Sequence, residues 1–64
     1  MKKYDWGKIN KENTHCYIIL DNNRKNKGYI THFPDVEREW YLEPYNSHFS
    51  LQQLRDIADF MEAL

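Results

Sequence analysis

The clearest hydrophobic pattern in the chain lies in its last fifteen residues, from Ser50 to Leu64. Apolar side chains recur there at three- and four-residue spacing, with charged and amide side chains between them. Ser50 is a good N-cap, and Gln53 stands three positions later, where its side chain completes a capping box. The sequence therefore predicts an amphipathic helix after Ser50 that buries Leu51, Leu54, Ile57, Ala58, Met61 and Leu64.

Three shorter segments have the composition of β-strands. The first, residues 14–21, contains four consecutive strand-favouring side chains and ends at an Asp-Asn-Asn turn cluster. The second, residues 28–33, stops before the Pro34-Asp35 dipeptide. The third, residues 38–43, alternates in polarity and ends at Pro44. The connections are short, so neighbouring strands are predicted to run antiparallel.

Together these elements predict an α+β protein. Its expected core is a three-stranded antiparallel sheet followed by one C-terminal amphipathic helix packed on one sheet face, all within a single domain of residues 14–64. Residues 1–13 are rich in lysine, asparagine and glutamate and are too short and polar for a core of their own, so they are predicted to form a polar N-terminal arm. Trp6 in this arm would either cap one end of the core or contact a partner.

The register of the predicted strands decides which side chains the helix covers. A short loop after Phe33 would place Thr31 opposite Trp40 and Tyr29 opposite Leu42. With Cys16, Ile18 and Leu20 these residues would form the covered face, although a one-residue slip in the first hairpin would exchange the two side-chain sets of the first strand. The uncovered face is predicted to hold Tyr17, Ile19, Ile30, His32 and Tyr41, edged by Glu39 and Glu43.

An uncovered apolar and aromatic sheet face is typical of a binding surface. Tyrosine at such a place supplies contact area and a hydrogen-bonding tip. We therefore expect a small non-catalytic module that binds another protein through those seven residues. A chain of this size suits a regulator or inhibitor, including the phage- or mobile-element-encoded type that blocks a host enzyme. The alternatives are that the N-terminal arm folds over the face, or that a structural homodimer closes through it or through an unpaired strand edge.

Charge is unevenly distributed, although the net charge is −1. Residues 1–28 carry seven basic and three acidic side chains, and residues 29–64 carry two basic and seven acidic ones. The acidic half would suit a basic site on a nucleic-acid enzyme, with binding that weakens as salt is added. Alternatively, most of these charges only solvate a small surface.

Basic side chains cluster in the first hairpin loop, at Arg24, Lys25 and Lys27. With the N-terminal lysines they make nucleic-acid binding the main alternative function. In the order of its elements alone, the predicted fold resembles the small DNA-binding arms of some tyrosine recombinases, which lay a sheet into the major groove. A sheet that reads DNA needs basic and amide side chains on its open face, whereas Glu39 and Glu43 would meet phosphate here, so this alternative ranks second.

Few residues suggest catalysis or metal binding. The soft-ligand candidates are His15, Cys16, His32 and His48, but their spacing matches no zinc pattern, since His15 and Cys16 on a strand point to opposite faces. The two glycines form no phosphate loop. We expect no enzyme, catalytic residue, metal or cofactor. One cysteine excludes an internal disulfide, and no apolar run has signal or membrane-spanning length, so a cytoplasmic protein without membrane contact is expected.

Overall fold

A computed structural model describes residues 1–33 and 39–64 of the chain. It contains one antiparallel sheet whose five strands lie side by side in sequence order. Of the helices in the described residues, none has the length and apolar character that crossing a membrane requires. The elements are β1 (Lys2–Tyr4), β2 (Gly7–Asn13), β3 (Cys16–Asp21), β4 (Asn26–His32), β5 (Trp40–Pro44) and α1 (Leu51–Glu62).

The α+β class is consistent with the structure, but the prediction of a three-stranded sheet is wrong. Residues 1–13, expected to be a polar arm, form the hairpin β1–β2 and add two strands to the sheet. Ile9 is the reason that this segment docks, because it pairs with Ile19 of β3 and is only 1% exposed. A single isoleucine among lysines and asparagines gives no alternating pattern from which a strand can be read.

The turn between β3 and β4 forms where the Asp-Asn-Asn cluster predicted it. The Asp21 carboxylate accepts hydrogen bonds from the backbone N–H groups of Asn23 and Lys25, at 2.8 and 2.9 Å. Arg24 takes a positive φ of 62° between them. The other predicted turn, at Pro34 and Asp35, and the predicted start of the third strand at Arg38 lie outside the described residues.

The start of helix α1 is confirmed in detail. The Ser50 hydroxyl accepts a hydrogen bond from the Gln53 backbone N–H at 3.1 Å, and the Gln53 side chain accepts one from the Ser50 N–H at 2.9 Å. This reciprocal pair satisfies two backbone donors that the first helical turn leaves without helical partners.

The predicted buried stripe of the helix is only partly correct. Ile57 is the fully buried residue of α1, whereas Leu51 and Leu54 are 64% and 43% exposed. Two polar side chains of the helix instead bond to the β1–β2 turn and to β4. Asp56 accepts a hydrogen bond from the Trp6 indole N–H at 2.8 Å, and Gln53 accepts one from the Lys27 ammonium at 3.1 Å. These long-range bonds hold the helix with Ile57 over the sheet and the leucines turned outward.

The hydrophobic core lies between α1 and one sheet face, which we call the covered face. Three isoleucines from neighbouring strands, Ile9, Ile19 and Ile30, meet Ile57 of the helix there, and all four are at most 1% exposed. Partly buried side chains surround this cluster: Tyr4, Trp6, Tyr17, Trp40, Leu42, Phe49, Phe60 and Met61.

The predicted faces of β3 and β4 are exchanged in the structure, whereas Trp40 and Leu42 of β5 lie on the covered face as predicted. Thr31 pairs with Tyr41 and Ile30 with Leu42, which is one residue away from the predicted register. Leu42 therefore joins Ile30 on the covered face, and the set of Cys16, Ile18 and Leu20 faces away from the helix. The cause is again β2, because Ile9 extends the apolar surface only on the side of its partner Ile19.

Replacing Trp6 with phenylalanine should lower the free energy of unfolding by about 1–2 kcal/mol, because the half-buried Asp56 carboxylate then loses a charge-assisted hydrogen bond. Urea denaturation of Trp6→Phe, Asp56→Ala and the double variant measures the coupling between the two side chains. Strictly additive losses would show that the bond contributes nothing.

Candidate interaction face

The sheet face that α1 does not cover is the candidate functional site. Its side chains lie in three cross-strand rows, read from the strand pairing. We call these eleven residues the open face: Asn10, Ile18, Tyr29 and Glu43 in the middle row; Cys16, Thr31 and Tyr41 in one outer row; Lys3, Lys8, Leu20 and Asn26 in the other. Beyond the sheet, the one helix in the described part of the chain packs on the opposite face.

The centre of the open face is apolar and aromatic. Ile18 and Leu20 of β3 lie beside Tyr29 of β4, and all three are half-buried by their neighbours in the sheet. The Asn26 amide donates a hydrogen bond to the Tyr29 hydroxyl at 2.8 Å, which fixes that ring on the face. Phe33, just beyond β4, is 46% exposed, and its ring centroid lies 5.9 Å from that of Tyr41.

Two polar atoms of the open face are buried without a hydrogen-bond partner among the described residues. They are the Asn10 side-chain oxygen and the Thr31 hydroxyl, one in each of two rows. A buried polar atom left unsatisfied costs about 1–3 kcal/mol.

Charge changes sign across the open face. Lys3 and Lys8 lie at the β1–β2 end, and the exposed Glu43 lies on β5 at the other end. Glu39 is exposed and immediately precedes β5. The face is therefore polarised from basic to acidic.

The structure separates the residues predicted to bind a partner. Tyr41 and Glu43 lie on the open face. The other strand residues of the predicted set do not: Tyr17, Ile19, Ile30 and His32. Ile19 and Ile30 are both 0% exposed in the core, because they lie beneath the helix. The ring of Tyr17 contacts Trp40 and Phe60 edge-on, with centroids 5.4 and 5.1 Å away, and His32 stacks on Trp40.

Sequence reasoning assigned Ile18, Leu20 and Tyr29 to the covered side and so missed them as site residues. Their grouping on one face was correct, since the structure pairs Ile18 with Tyr29. The signal that could have placed this group on the open side is Ile9. A strand through residues 7–13 adds Ile9 to the face that already holds Ile19 and Ile30. The helix packs on this face because it is the more apolar one.

The predicted basic cluster in the first hairpin is also divided. Arg24 and Lys25 are exposed in the turn, but the Lys27 ammonium lies 4.8 Å from the centre of the Phe49 ring and bonds to Gln53. The register shift between Ile19 and Leu20 marks a β-bulge that turns Lys27 toward the helix. Arg24 instead joins Lys3 and Lys8 around a depression of about 180 Å³.

Cys16 is the free thiol of the open face and is half-buried. Burial raises the pKa of this thiol above its usual value, and the nearby carboxylates of Glu12 and Glu43 raise it further. The thiolate is therefore scarce at neutral pH, and the side chain behaves as a small apolar group. In the described residues, no three His, Cys, Asp or Glu side chains surround a common point.

Comparison of the chain with protein-family models, with curated proteins and with solved structures finds no match.

Proposed function

We propose that this protein is a small, non-catalytic cytoplasmic module that regulates or inhibits a partner protein by binding it through the open face. One observation carries the proposal: a five-stranded sheet has its helix on one side and an apolar, tyrosine-bearing surface on the other. Such a surface is typical of a docking site. The cytoplasmic setting is supported by Cys16, a free thiol with no partner for an internal disulfide.

The open face extends across all five strands of the sheet. Apolar side chains lie at its centre and charged ones at its ends. This is the usual arrangement of an interface core and rim.

The charge gradient gives the complex an orientation. A partner with a basic patch opposite Glu39 and Glu43 and an acidic patch opposite Lys3 and Lys8 would dock in one direction. A nucleic-acid enzyme, whose working site is basic, matches the acidic end. Affinity for such a partner should decrease as salt rises, because rim charges are screened.

A triple variant tests the face directly. The substitutions Ile18→Ala, Tyr29→Ala and Tyr41→Ala should together weaken partner capture by about 100-fold or more, since buried interface tyrosines often contribute at least 1 kcal/mol each. The partner is captured from cells of the source organism with tagged protein, after nuclease treatment, and identified by mass spectrometry. The matched control is Leu51→Ala with Arg55→Ala, because both side chains are exposed on the helix. Unchanged capture by a folded triple variant would contradict the proposal.

Alkylation of Cys16 gives a second measure that needs no substitution. The thiol lies on the open face, so a partner bound there should slow its reaction with iodoacetamide about tenfold or more, in proportion to the fraction bound. Because burial raises the pKa of the thiol, free and bound rates are compared at one alkaline pH. A saturating partner that leaves the alkylation rate unchanged binds elsewhere.

Light scattering of the protein without a partner shows whether the chain associates with a second copy of itself.

Nucleic-acid binding is the second candidate, favoured by the meeting of Lys3, Lys8 and Arg24 around a depression that Tyr4 also lines. A basic edge next to aromatic rings suits single-stranded nucleic acid. Replacing the three basic residues with alanine should then weaken binding to an oligonucleotide and reduce its salt dependence. Lys27→Ala is the matched control, because that side chain is engaged with the helix. If the partner is still captured after nuclease treatment, and equally well by the variant without the three basic residues, the result favours a protein partner.

A further inference from the structure

Two histidines converge at the end of the sheet away from the β3–β4 turn. His15 lies exposed in the turn between β2 and β3, and His32 is the last residue of β4. Their Nδ1 atoms are 3.4 Å apart, while the ring centroids are 5.6 Å apart. The two rings are therefore closest at their Nδ1 atoms, and the rest of each ring lies farther from its neighbour.

The pair is held in place by contacts that do not involve the Nδ1 atoms. The His32 backbone N–H donates to the His15 carbonyl at 2.9 Å, and the His15 N–H donates to the Asn13 side chain at 2.8 Å. The His32 ring also stacks on Trp40, with 5.0 Å between centroids and 28° between planes. The backbones of both histidines and the ring of His32 are thus held without a ligand, which lowers the entropy cost of binding one.

We propose that His15 and His32 together bind a late first-row divalent cation, such as Zn²⁺, Ni²⁺ or Cu²⁺, through their Nδ1 atoms. Metal–nitrogen bonds of about 2.0–2.1 Å at a tetrahedral angle place two ligand nitrogens about 3.3–3.4 Å apart, which is the separation seen here. Without a metal, the same two atoms make a long hydrogen bond whose donor depends on the tautomers. Imidazole is also the side chain that these cations prefer.

The site supplies two protein ligands, and water completes the coordination sphere. Cys16 does not join it, because its side chain lies on the open face and its thiol donates to the Tyr17 carbonyl at 3.8 Å. The described residues hold no cluster of three metal-binding side chains, so binding should be reversible rather than structural. This site lies at the margin of the covered face, and it is independent of the proposed partner-binding function.

Nuclear magnetic resonance of the imidazole groups tests the site with the metal alone. Adding Zn²⁺ to the wild-type chain should shift the Nδ1 resonances of His15 and His32 together, at one shared midpoint. His15→Ala and His32→Ala should each weaken Zn²⁺ binding about tenfold or more, because each removes half of the protein ligands. Two matched controls should bind as the wild type does: His48→Ala, an exposed histidine elsewhere, and Cys16→Ser, the adjacent soft ligand.

Several results would overturn the proposal. One is the absence of any shift at His15 and His32 at millimolar Zn²⁺. Another is an unchanged midpoint of the Zn²⁺ titration in His15→Ala. This variant should stay folded, because His15 is exposed in a turn. A third is a midpoint that moves equally in His48→Ala or Cys16→Ser, which would indicate nonspecific binding to surface ligands. A shared midpoint that is lost only in the two paired variants supports it.

Discussion

Replacing Ile19 with alanine is expected to lower the free energy of unfolding by about 2–5 kcal/mol, whereas the same replacement at the adjacent Ile18 should cost about 1 kcal/mol or less. Ile19 is 0% exposed and lies among Ile9, Ile30 and Ile57, so its truncation leaves a cavity in the centre of the core. Ile18 is half-buried on the open face, where water fills the space that a shorter side chain leaves.

Urea denaturation followed by tryptophan fluorescence measures both variants. A chain of 64 residues has little stability in reserve, so Ile19→Ala should be largely unfolded at room temperature. Ile18→Ala should stay folded and still lose partner affinity, because Ile18 lies on the open face. Equal stability losses at the two positions would show that both sheet faces are covered. A larger loss at Ile18 would place the helix on the other face.

Local signals in the sequence predicted the parts of the fold that depend on neighbouring residues. The capping box at Ser50 and Gln53 involves residues three apart, and the turn after Asp21 depends on that residue's own side chain. Each of these features is stabilised by hydrogen bonds that close within five residues. The sequence therefore contained the information for them without any knowledge of packing.

Features set by distant contacts could not be predicted in this way. The rotation of α1 depends on Trp6 and Asp56, which are 50 positions apart in the chain. The strand character of residues 7–13 depends on Ile9 meeting Ile19 across a ladder. Neither contact leaves a periodic pattern, since a lone isoleucine between polar residues and an aspartate on a helix both look solvent-exposed.

The candidate site was missed because one side-chain set was assigned to the wrong side of the sheet. Residues 17–20 are consecutive apolar side chains, and such a run does not reveal which alternate set is buried. Both sets are apolar, one with Tyr17 and Ile19 and the other with Ile18 and Leu20. Within β3 the open and the covered face are equally apolar, so only the position of the helix separates them.

Replacing Gly7 with alanine should destabilise the protein by about 3 kcal/mol or more, because β2 then cannot approach β3. A Cβ atom at this position would overlap the Leu20 carbonyl oxygen and lie 2.9 Å from the Asp21 Cα, and both of those are backbone atoms that cannot move aside. The loss should propagate to the core, because Gly7 and Ile9 lie on the same strand and Ile9 is a quarter of the buried isoleucine cluster.

Thermal unfolding of Gly7→Ala, compared with Lys11→Ala on the same strand, measures this effect. Lys11 is exposed, so its replacement should change stability by about 0.5 kcal/mol or less. Amide hydrogen exchange adds spatial detail, since the Ile9 and Ile19 amides should lose protection together in Gly7→Ala. If residues 1–13 were a solvated arm, the two variants would be equally stable. A large difference between them would show that this segment belongs to the sheet. The assignment of the open face depends on that placement.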